Sequence, residues 1–256
     1  MMPLAGRLAA ALFAALAVSN ASPAVAECRT DAFEGTDYVV CSFDLSRADL
    51  RLFWRDAERQ PYGSFNSLAE KLADEGLTLR FAMNGGMYQE DLTPVGLYIE
   101  GGEELKRANR AEAPAGVQPV PNFYKKPNGI FYFGDGRAGV LETEAFLANP
   151  PQADFATQSG PMLLIDGKIH PAFIVGSTDR KPRNGVCAPK PTEVTVAITT
   201  ERVNFYDFAR FFQKLGCRDA LFLDGGSAPG LYAPELGRND RPPWEGYGPI
   251  IGVVGN

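Results

Sequence analysis

EVTVAITT (Glu193 to Thr200), NFYDFARFFQKLG (Asn204 to Gly216) and ALFLDGGS (Ala220 to Ser227) follow one another with short connections. The first alternates apolar and polar residues with period two, as a half-buried strand does. In the second, Asn204 with Asp207 three residues on resembles a capping box. Phe208, Phe211, Phe212 and Leu215 then line one helical face that Gly216 closes. The clustered aromatics of residues 205 to 212 read as core rather than as a sugar platform. ALFL is a short apolar run bounded by turn residues, the pattern of a buried strand. Strand, helix and strand within about thirty residues make a βαβ-like unit. Asp224 then stands at the carboxyl end of a strand, where open α/β sheets bind ligands.

The same design occurs once more, over a hundred residues upstream. TLRFAM (Thr78 to Met83) reads as a buried strand and runs into Asn84-Gly85-Gly86, as ALFL runs into Asp224-Gly225-Gly226. Glycine admits positive φ and lets a ligand approach the main chain, and successive exposed N–H groups can cradle an oxyanion. One such turn is ordinary punctuation, but two with a polar residue at the strand tip point to a site.

Working outward, YVVCSF (Tyr38 to Phe43) and LRLFW (Leu50 to Trp54) read as strands. A Pro61-Tyr62-Gly63-Ser64 turn precedes a helix carried by Phe65, Leu68, Ala69 and Leu72 and stopped at Gly76. VGLYI (Val95 to Ile99), IFYF (Ile130 to Phe133) with a Gly134-Asp135-Gly136 hairpin signal, and MLLI (Met162 to Ile165) with Asp166-Gly167 continue the series. Residues 103 to 128 are charged, then rich in proline and glycine, and read as a long functional or mobile loop. No internal repeat or domain boundary interrupts the chain. The expected fold is α+β: a single domain, residues 27 to 256, with a mixed twisted β-sheet flanked by helices.

Residues 1 to 26 read as a signal peptide. Arg7 supplies the positive start, Leu8 to Val18 an apolar stretch too short to span a bilayer, and Ala24-Val25-Ala26 a small-residue cleavage site. Cleavage after Ala26 implies a periplasmic or secreted protein. The segment contains one base and no acid, so the remaining chain carries 24 − 31 = −7 charges. An acidic chain without a basic tract argues against nucleic acid, and no later segment has the roughly 20 apolar residues of a membrane span. Cys28, Cys41, Cys187 and Cys217 form an even set that reads as two disulfides in an oxidising compartment. Three pairings are open. The favoured one joins Cys28 to Cys41 and Cys187 to Cys217, stapling the N-terminal strand and tying the Arg183 loop to the end of a late helix. One histidine and no CxxC spacing make a zinc site the weaker alternative.

Three further segments set polar groups beside glycine or proline: Lys126-Pro127-Asn128-Gly129, Gln158-Ser159-Gly160-Pro161 and Arg180-Lys181-Pro182-Arg183-Asn184-Gly185-Val186. Taken in order with MNGGMY and LDGGS, they resemble the phosphodiester glycosidase family over most of the chain from about Phe81 to Val254. Two departures stand out: Met87 replaces the usual aromatic, with Tyr88 next to it, and Cys187 stands where many relatives have glycine.

The resemblance implies hydrolysis of the glycosidic bond of a sugar-1-phosphodiester, releasing sugar and a phosphomonoester from a small molecule or glycan. On that reading Asp224 is the acid/base or nucleophile, and Arg183 grips phosphate in a bidentate fork. Asp91, Asp179 and Glu193 are candidates for a second carboxylate, and Asp179 is ranked first because it neighbours the arginine cluster. Asn84, Asn128 and Asn184 would hydrogen-bond substrate. Gly85, Gly86, Ser159, Gly160, Gly225, Gly226 and Ser227 would shape the pocket and its anion cradle. Arg183 as a salt-bridge partner of Asp179 or Glu193 is the plainer alternative, and His170 reads as structural. No cofactor is expected, and a divalent cation is left open. A metal-dependent phosphodiesterase, and a non-catalytic periplasmic glycan-binding or envelope-assembly module, are the competing readings.

Overall fold

A computed structural model describes residues 27–199, 201–243 and 246–256, so the expected signal peptide lies outside the described residues. The chain runs through β1 (Glu27–Phe33), β2 (Thr36–Asp44), β3 (Asp49–Phe53), α1 (Phe65–Asp74), β4 (Thr78–Asn84), β5 (Tyr98–Glu100) and β6 (Glu103–Lys106). It continues with β7 (Gly129–Gly134), β8 (Arg137–Glu142), α2 (Thr143–Ala148), β9 (Phe155–Ser159), β10 (Met162–Ile165) and β11 (Lys168–Ile169). The last third holds β12 (Arg183–Lys190), β13 (Glu193–Thr199), α3 (Phe205–Lys214), β14 (Ala220–Gly225), β15 (Leu231–Ala233), β16 (Arg238–Asn239) and β17 (Ile250–Gly255).

The α+β class holds, but the strands divide into three sheets rather than one. Their orders are β1-β2-β13-β12-β14-β10-β11, β16-β15-β4-β17-β3 and β6-β5-β9-β7-β8. Adjacent strands pair antiparallel throughout the described ladders, so the expected mixed sheet is corrected. The expected βαβ unit exists as β13-α3-β14, with β12 inserted between its two parallel strands.

The alternation of side chains explains the layering. Val39, Cys41 and Phe43 of β2 point into a core shared by all three sheets, with Val196, Leu221, Phe81, Met83, Ile251 and Phe131. Tyr38 and Val40, on the opposite face of the same strand, pack against α3 through Phe208, Phe211 and Phe212. Asn204 caps α3 by accepting the Asp207 N–H on its side chain at 2.8 Å. Helix α1 closes the outer face of the second sheet. There Phe65, Leu68 and Leu72 meet Leu79, Ile250 and Val254, and Ser64 Oγ caps the Ser67 N–H at 3.1 Å. Phe146 of α2 packs with Leu97, Ile130 and Ala156 on the third.

Both favoured disulfides form. The β1–β2 register sets Cys28 directly opposite Cys41, and Cys187 on β12 reaches Cys217 just beyond α3. Two local expectations change. Arg183 begins a central strand instead of lying in a loop, and VGLYI contributes only its end to β5. The segment from 103 to 128 opens with a strand, β6, and ends in a short 3-10 turn at Asn122–Tyr124.

Candidate active site

Three chain segments converge at the tips of β4, β12 and β14. β12 pairs with β14 so that Arg183 stands opposite Gly225 and Asn184 opposite Asp224, with a bulge after that pair. Asn184 is fully buried and spends its amide on its neighbours. Its Nδ2 donates to Asn84 Oδ1 at 2.6 Å and to the Asn84 carbonyl at 3.1 Å, and its Oδ1 accepts the Asp224 N–H at 2.9 Å. Asn84 Oδ1 also accepts the Gly230 N–H at 3.1 Å. The two sequence motifs are thus joined through the amide of a third residue. Asn84 Nδ2 is buried with no hydrogen-bond partner among the described residues.

The Asp224 side chain opens on a cavity of about 460 Å³ lined also by Met87, Tyr88, Asn109, Asn122, Phe123 and Tyr124. Both the size and the mixture of aromatic and amide groups suit a small polar ligand. Asp224 is the one carboxylate among the described lining residues. The protein packed around it pushes its pKa up to about 7, against the Gly225 N–H, which donates to Oδ1 at 2.7 Å and favours the ionised form. A carboxyl balanced near neutrality exchanges a proton readily, the property a general acid or base needs.

Arg183 faces the other side of the strand. Its guanidinium stacks on the Phe205 ring, 3.6 Å from the centroid, and is fully buried. Nε donates to the Val203 carbonyl at 2.9 Å and Nη2 to the Asp179 carbonyl at 3.2 Å, while Nη1 is buried without a partner among the described residues. The Nε and Nη2 donors are therefore directed at backbone oxygens rather than at open space. Burial pulls the pKa down to about 10, opposed by Asp179, whose carboxylate lies 3.6 Å away, so Arg183 stays cationic at neutral pH.

Asp179 and Phe205 line a second cavity of about 180 Å³ together with Lys125, Phe173, Ile174 and Tyr206. Burial raises the Asp179 pKa, but Lys181, Arg183 and Lys125 outweigh it and hold the group below the usual carboxylate range. Asp179 is a counter-ion there, in a cavity separate from that of Asp224. Lys125 connects the two: it lines the second cavity, and its ammonium donates to Asn122 Oδ1, on the wall of the first, at 3.0 Å. Its pKa is lowered by burial, against the pull of Asp179.

The other expected site residues are not among the described lining of either cavity and, the exposed Ser227 apart, bond or pack within the protein around them. Asn128 is buried, donating to the Phe123 carbonyl at 3.0 Å and accepting from Thr143 Oγ1 at 2.8 Å. Ser159 Oγ donates to the Leu223 carbonyl at 2.7 Å, clipping β9 to β14 beside Asp224. A Cβ on Gly160 would lie 2.5 Å from that of Asn128. The Gly85 N–H donates to Pro249 O at 2.6 Å, that of Gly225 to Asp224, and that of Gly226 to Pro182 O at 3.1 Å. These glycines serve close packing, and Gly226 a left-handed turn at φ +76°. A Cβ on Gly86 would meet Thr157 Oγ1 at 2.7 Å, and Ser227 is exposed. His170 accepts the Ala172 N–H on Nδ1 at 3.1 Å, so its Nε2–H donates to the Lys126 carbonyl at 3.0 Å, tying two loops together.

Lys125, Asn122, Tyr124 and Asn109 are not among the residues expected from the sequence. The Tyr124-Lys125-Lys126-Pro127 run was visible, but nothing in its spacing distinguishes Lys125 from Lys126. Among the described residues no cluster of three or more His, Cys, Asp or Glu is arranged to hold a metal ion.

Comparison with known proteins places the chain in a family. The chain is 33% identical to the uncharacterized protein YigE of Escherichia coli (strain K12) over 206 residues, covering 80% of this chain and 76% of that one. The fold is similar to the zebrafish N-acetylglucosamine-1-phosphodiester alpha-N-acetylglucosaminidase catalytic domain auto-inhibited by pro-peptide. That match has a TM-score of 0.58 at 14% identity and covers 91% of this chain and 84% of that one. A hypothetical protein from Synechocystis matches with a TM-score of 0.53 at 16% identity, over 90% of this chain and 61% of that one. The phosphodiester glycosidase family model matches residues 78–252, which include Asn84, Arg183, Asn184 and Asp224, and the chain belongs to that family.

Proposed function

We propose that this chain hydrolyses the glycosidic bond of a sugar-1-phosphodiester in the cavity above Asp224. The observation that carries the reading is a carboxylate with a pKa pushed up to about 7, the one carboxylate among the described residues lining an aromatic- and amide-lined cavity in a member of this family. In the proposed reaction a water oxygen bonds to the anomeric carbon while the bond from that carbon to the phosphate oxygen breaks. The electron pair leaves on the phosphate, giving a phosphomonoester, and the water proton passes to the Asp224 carboxylate. A phosphate is already a good leaving group, so stabilising its charge matters more than protonating it. Lys125, whose ammonium donates to Asn122 Oδ1 on the wall of that cavity, is the proposed source of that stabilisation. Asn184 and Asn84 are positioning residues, and Arg183 with Asp179 supports the wall behind them.

The test is incubation of the chain from Glu27 onward with a panel of sugar-1-phosphodiesters, reading released sugar by mass spectrometry. Release by wild type and not by Asp224→Asn supports the reading. Binding of ligand by both proteins with release by neither would instead make this a glycan-binding module.

The reading extends to export. Two disulfides linking all four cysteines favour an oxidising compartment. Expression of the full chain with a periplasmic fraction beginning at Glu27 is the expected result, and an intact N-terminus in the cytoplasm would contradict it.

A further inference from the structure

Residues 109 to 124 supply one side of the Asp224 cavity, where Asn109, Pro121, Asn122, Phe123 and Tyr124 all line it. Burial does little to hold the stretch between its two ends. Residues 111–121 are exposed except for the half-buried Ala113 and Val120. Two of the hydrogen bonds there are local, from the Ala111 N–H to Asn109 Oδ1 at 3.0 Å and from the Val117 N–H to the Pro114 carbonyl at 3.3 Å. The ion pair of Arg110 with Glu144 is exposed, and such pairs stabilise weakly. A wall of this composition keeps its place through its ends.

Both ends lead to one buried amide. Gln158 on β9 uses every hydrogen-bonding position of its side chain. Oε1 accepts the Asn109 N–H at 2.8 Å and the Leu97 N–H at 2.9 Å, while Nε2 donates to the Asn109 carbonyl at 2.9 Å and to Thr143 Oγ1 at 3.2 Å. Asn109 is thereby gripped through both of its main-chain polar groups, as a neighbouring strand would grip it. Thr143 Oγ1 carries the connection on by donating to Asn128 Oδ1 at 2.8 Å, and Asn128 Nδ2 donates to the Phe123 carbonyl at 3.0 Å. The network thus runs from Asn109 through Gln158, Thr143 and Asn128 to Phe123, from one end of the wall to the other. Gln158, Thr143 and Asn128 are fully buried, so a bond broken among them leaves a polar group without water to replace it. The facing segment closes on the same amide: a Cβ on Gly96 would collide with Gln158 Oε1, and Val95, on the cavity wall, accepts from Asn109 Nδ2 at 3.2 Å.

We propose that Gln158, acting through Thr143 and Asn128, is the positioning residue of this wall and sets the affinity for substrate rather than the rate of the chemical step. The proposal rests on hydrolysis at Asp224. Two buried amides then divide the work of the site. Asn184 holds the carboxylate, and Gln158 holds the surface against which the substrate lies. Contacts with the wall that are equal in the ground state and the transition state appear in KM and leave kcat alone.

The test pairs limited trypsin digestion with steady-state kinetics on the methyl diesters of glucose 1-phosphate and N-acetylglucosamine 1-phosphate. Gln158→Met keeps the length of the side chain and removes its bonds, so cleavage after Arg107 and Arg110 should quicken about tenfold. Thr143→Val removes one hydroxyl at similar volume. It should quicken cleavage after Lys125 by several fold, and Thr143→Ser should restore the wild-type rate. KM should rise about tenfold in Gln158→Met and about threefold in Thr143→Val, with kcat changed by less than about twofold. Plain destabilisation would instead lower kcat through the amount of folded enzyme and leave KM where it was. If Gln158→Met does not fold, the two Thr143 variants carry the comparison. If wild type cleaves neither diester, hydrolysis at Asp224 fails as a reading, while the trypsin rates still decide whether the network holds the wall. Unchanged trypsin rates in both variants, or a fall in kcat at constant KM, overturns the proposal.

Discussion

Arg183 and Asn184 are consecutive on β12, yet they serve opposite faces of the strand and opposite kinds of environment. On the Asn184 side, neutral amides and backbone N–H groups surround Asp224. On the Arg183 side, aromatic rings and a cluster of cations surround one half-exposed carboxylate. The consequence is electrostatic. Asp179, among cations, is held below the usual carboxylate range, whereas Asp224 feels burial and one N–H and is pushed up to about 7. A one-residue step along a strand is enough to keep a guanidinium from acidifying the group that has to exchange a proton.

The comparison can be broken most severely at its chemical end. Asp224→Asn keeps the shape and removes the exchangeable proton, so kcat should fall by a factor on the order of 10² to 10⁴. The panel assay with purified variant measures this. Arg183→Met retains much of the volume but strands the Asp179 and Val203 carbonyls and the Asp179 carboxylate. It should destabilise the fold by roughly 2–4 kcal/mol in urea titration. A loss below about 0.5 kcal/mol would show that Arg183 is not a structural keystone of its face. Asn184→Ala leaves the Asp224 N–H and the Asn84 carboxamide oxygen short of a partner, at a cost of roughly 1–3 kcal/mol. It should also lower kcat more than it raises KM, because it displaces Asp224 rather than the cavity walls.

The smallest effect has the most informative sign. Asp224 has a folded pKa raised to about 7 from 3.8, so stability present at low pH is lost as pH rises through that window. Asp224→Asn escapes the loss. Although inactive, it should be more stable than wild type at pH 8 by roughly 1–2 kcal/mol, a figure reduced because the carboxyl opens on the cavity. The advantage should shrink to nothing as pH falls toward 4. Melting curves at the two pH values decide it; a variant less stable at pH 8 would place Asp224 among the groups that hold the fold together.

The C-terminal helix and the strand after it are legible in the sequence because each bears a single unambiguous period: a phenylalanine face over α3, and an apolar run that ends at Asp224. The pairing of cysteines is open among three possibilities in the sequence, and the β1–β2 hairpin, which sets Cys28 opposite Cys41, selects the favoured one. β12 is hidden for the opposite reason. Arg183, Asn184, Gly185 and Pro189 give it no strand pattern, and it is held by ladders to β13 and β14 on both sides rather than by its own propensity. β9 is hidden likewise, because Thr157, Gln158 and Ser159 are polar but buried, with Gln158 accepting the Leu97 and Asn109 N–H groups and Ser159 gripping β14. Polar residues beside glycine were therefore legible as a constellation, but not by role. Asn128, Ser159 and Asn184 bond to protein, and Lys125 emerges only when the fold brings the 122–125 turn against Phe205.

The central claim is that a carboxylate near neutrality performs the chemistry. The pH dependence of kcat/KM for a sugar-1-phosphodiester between pH 5 and 9 tests it most directly, because that ratio reports the free enzyme. With Asp224 as the base that must be ionised, the profile should rise with pH through an inflection near 7. A profile flat across that range, or one that falls as Asp224 ionises, would contradict the account.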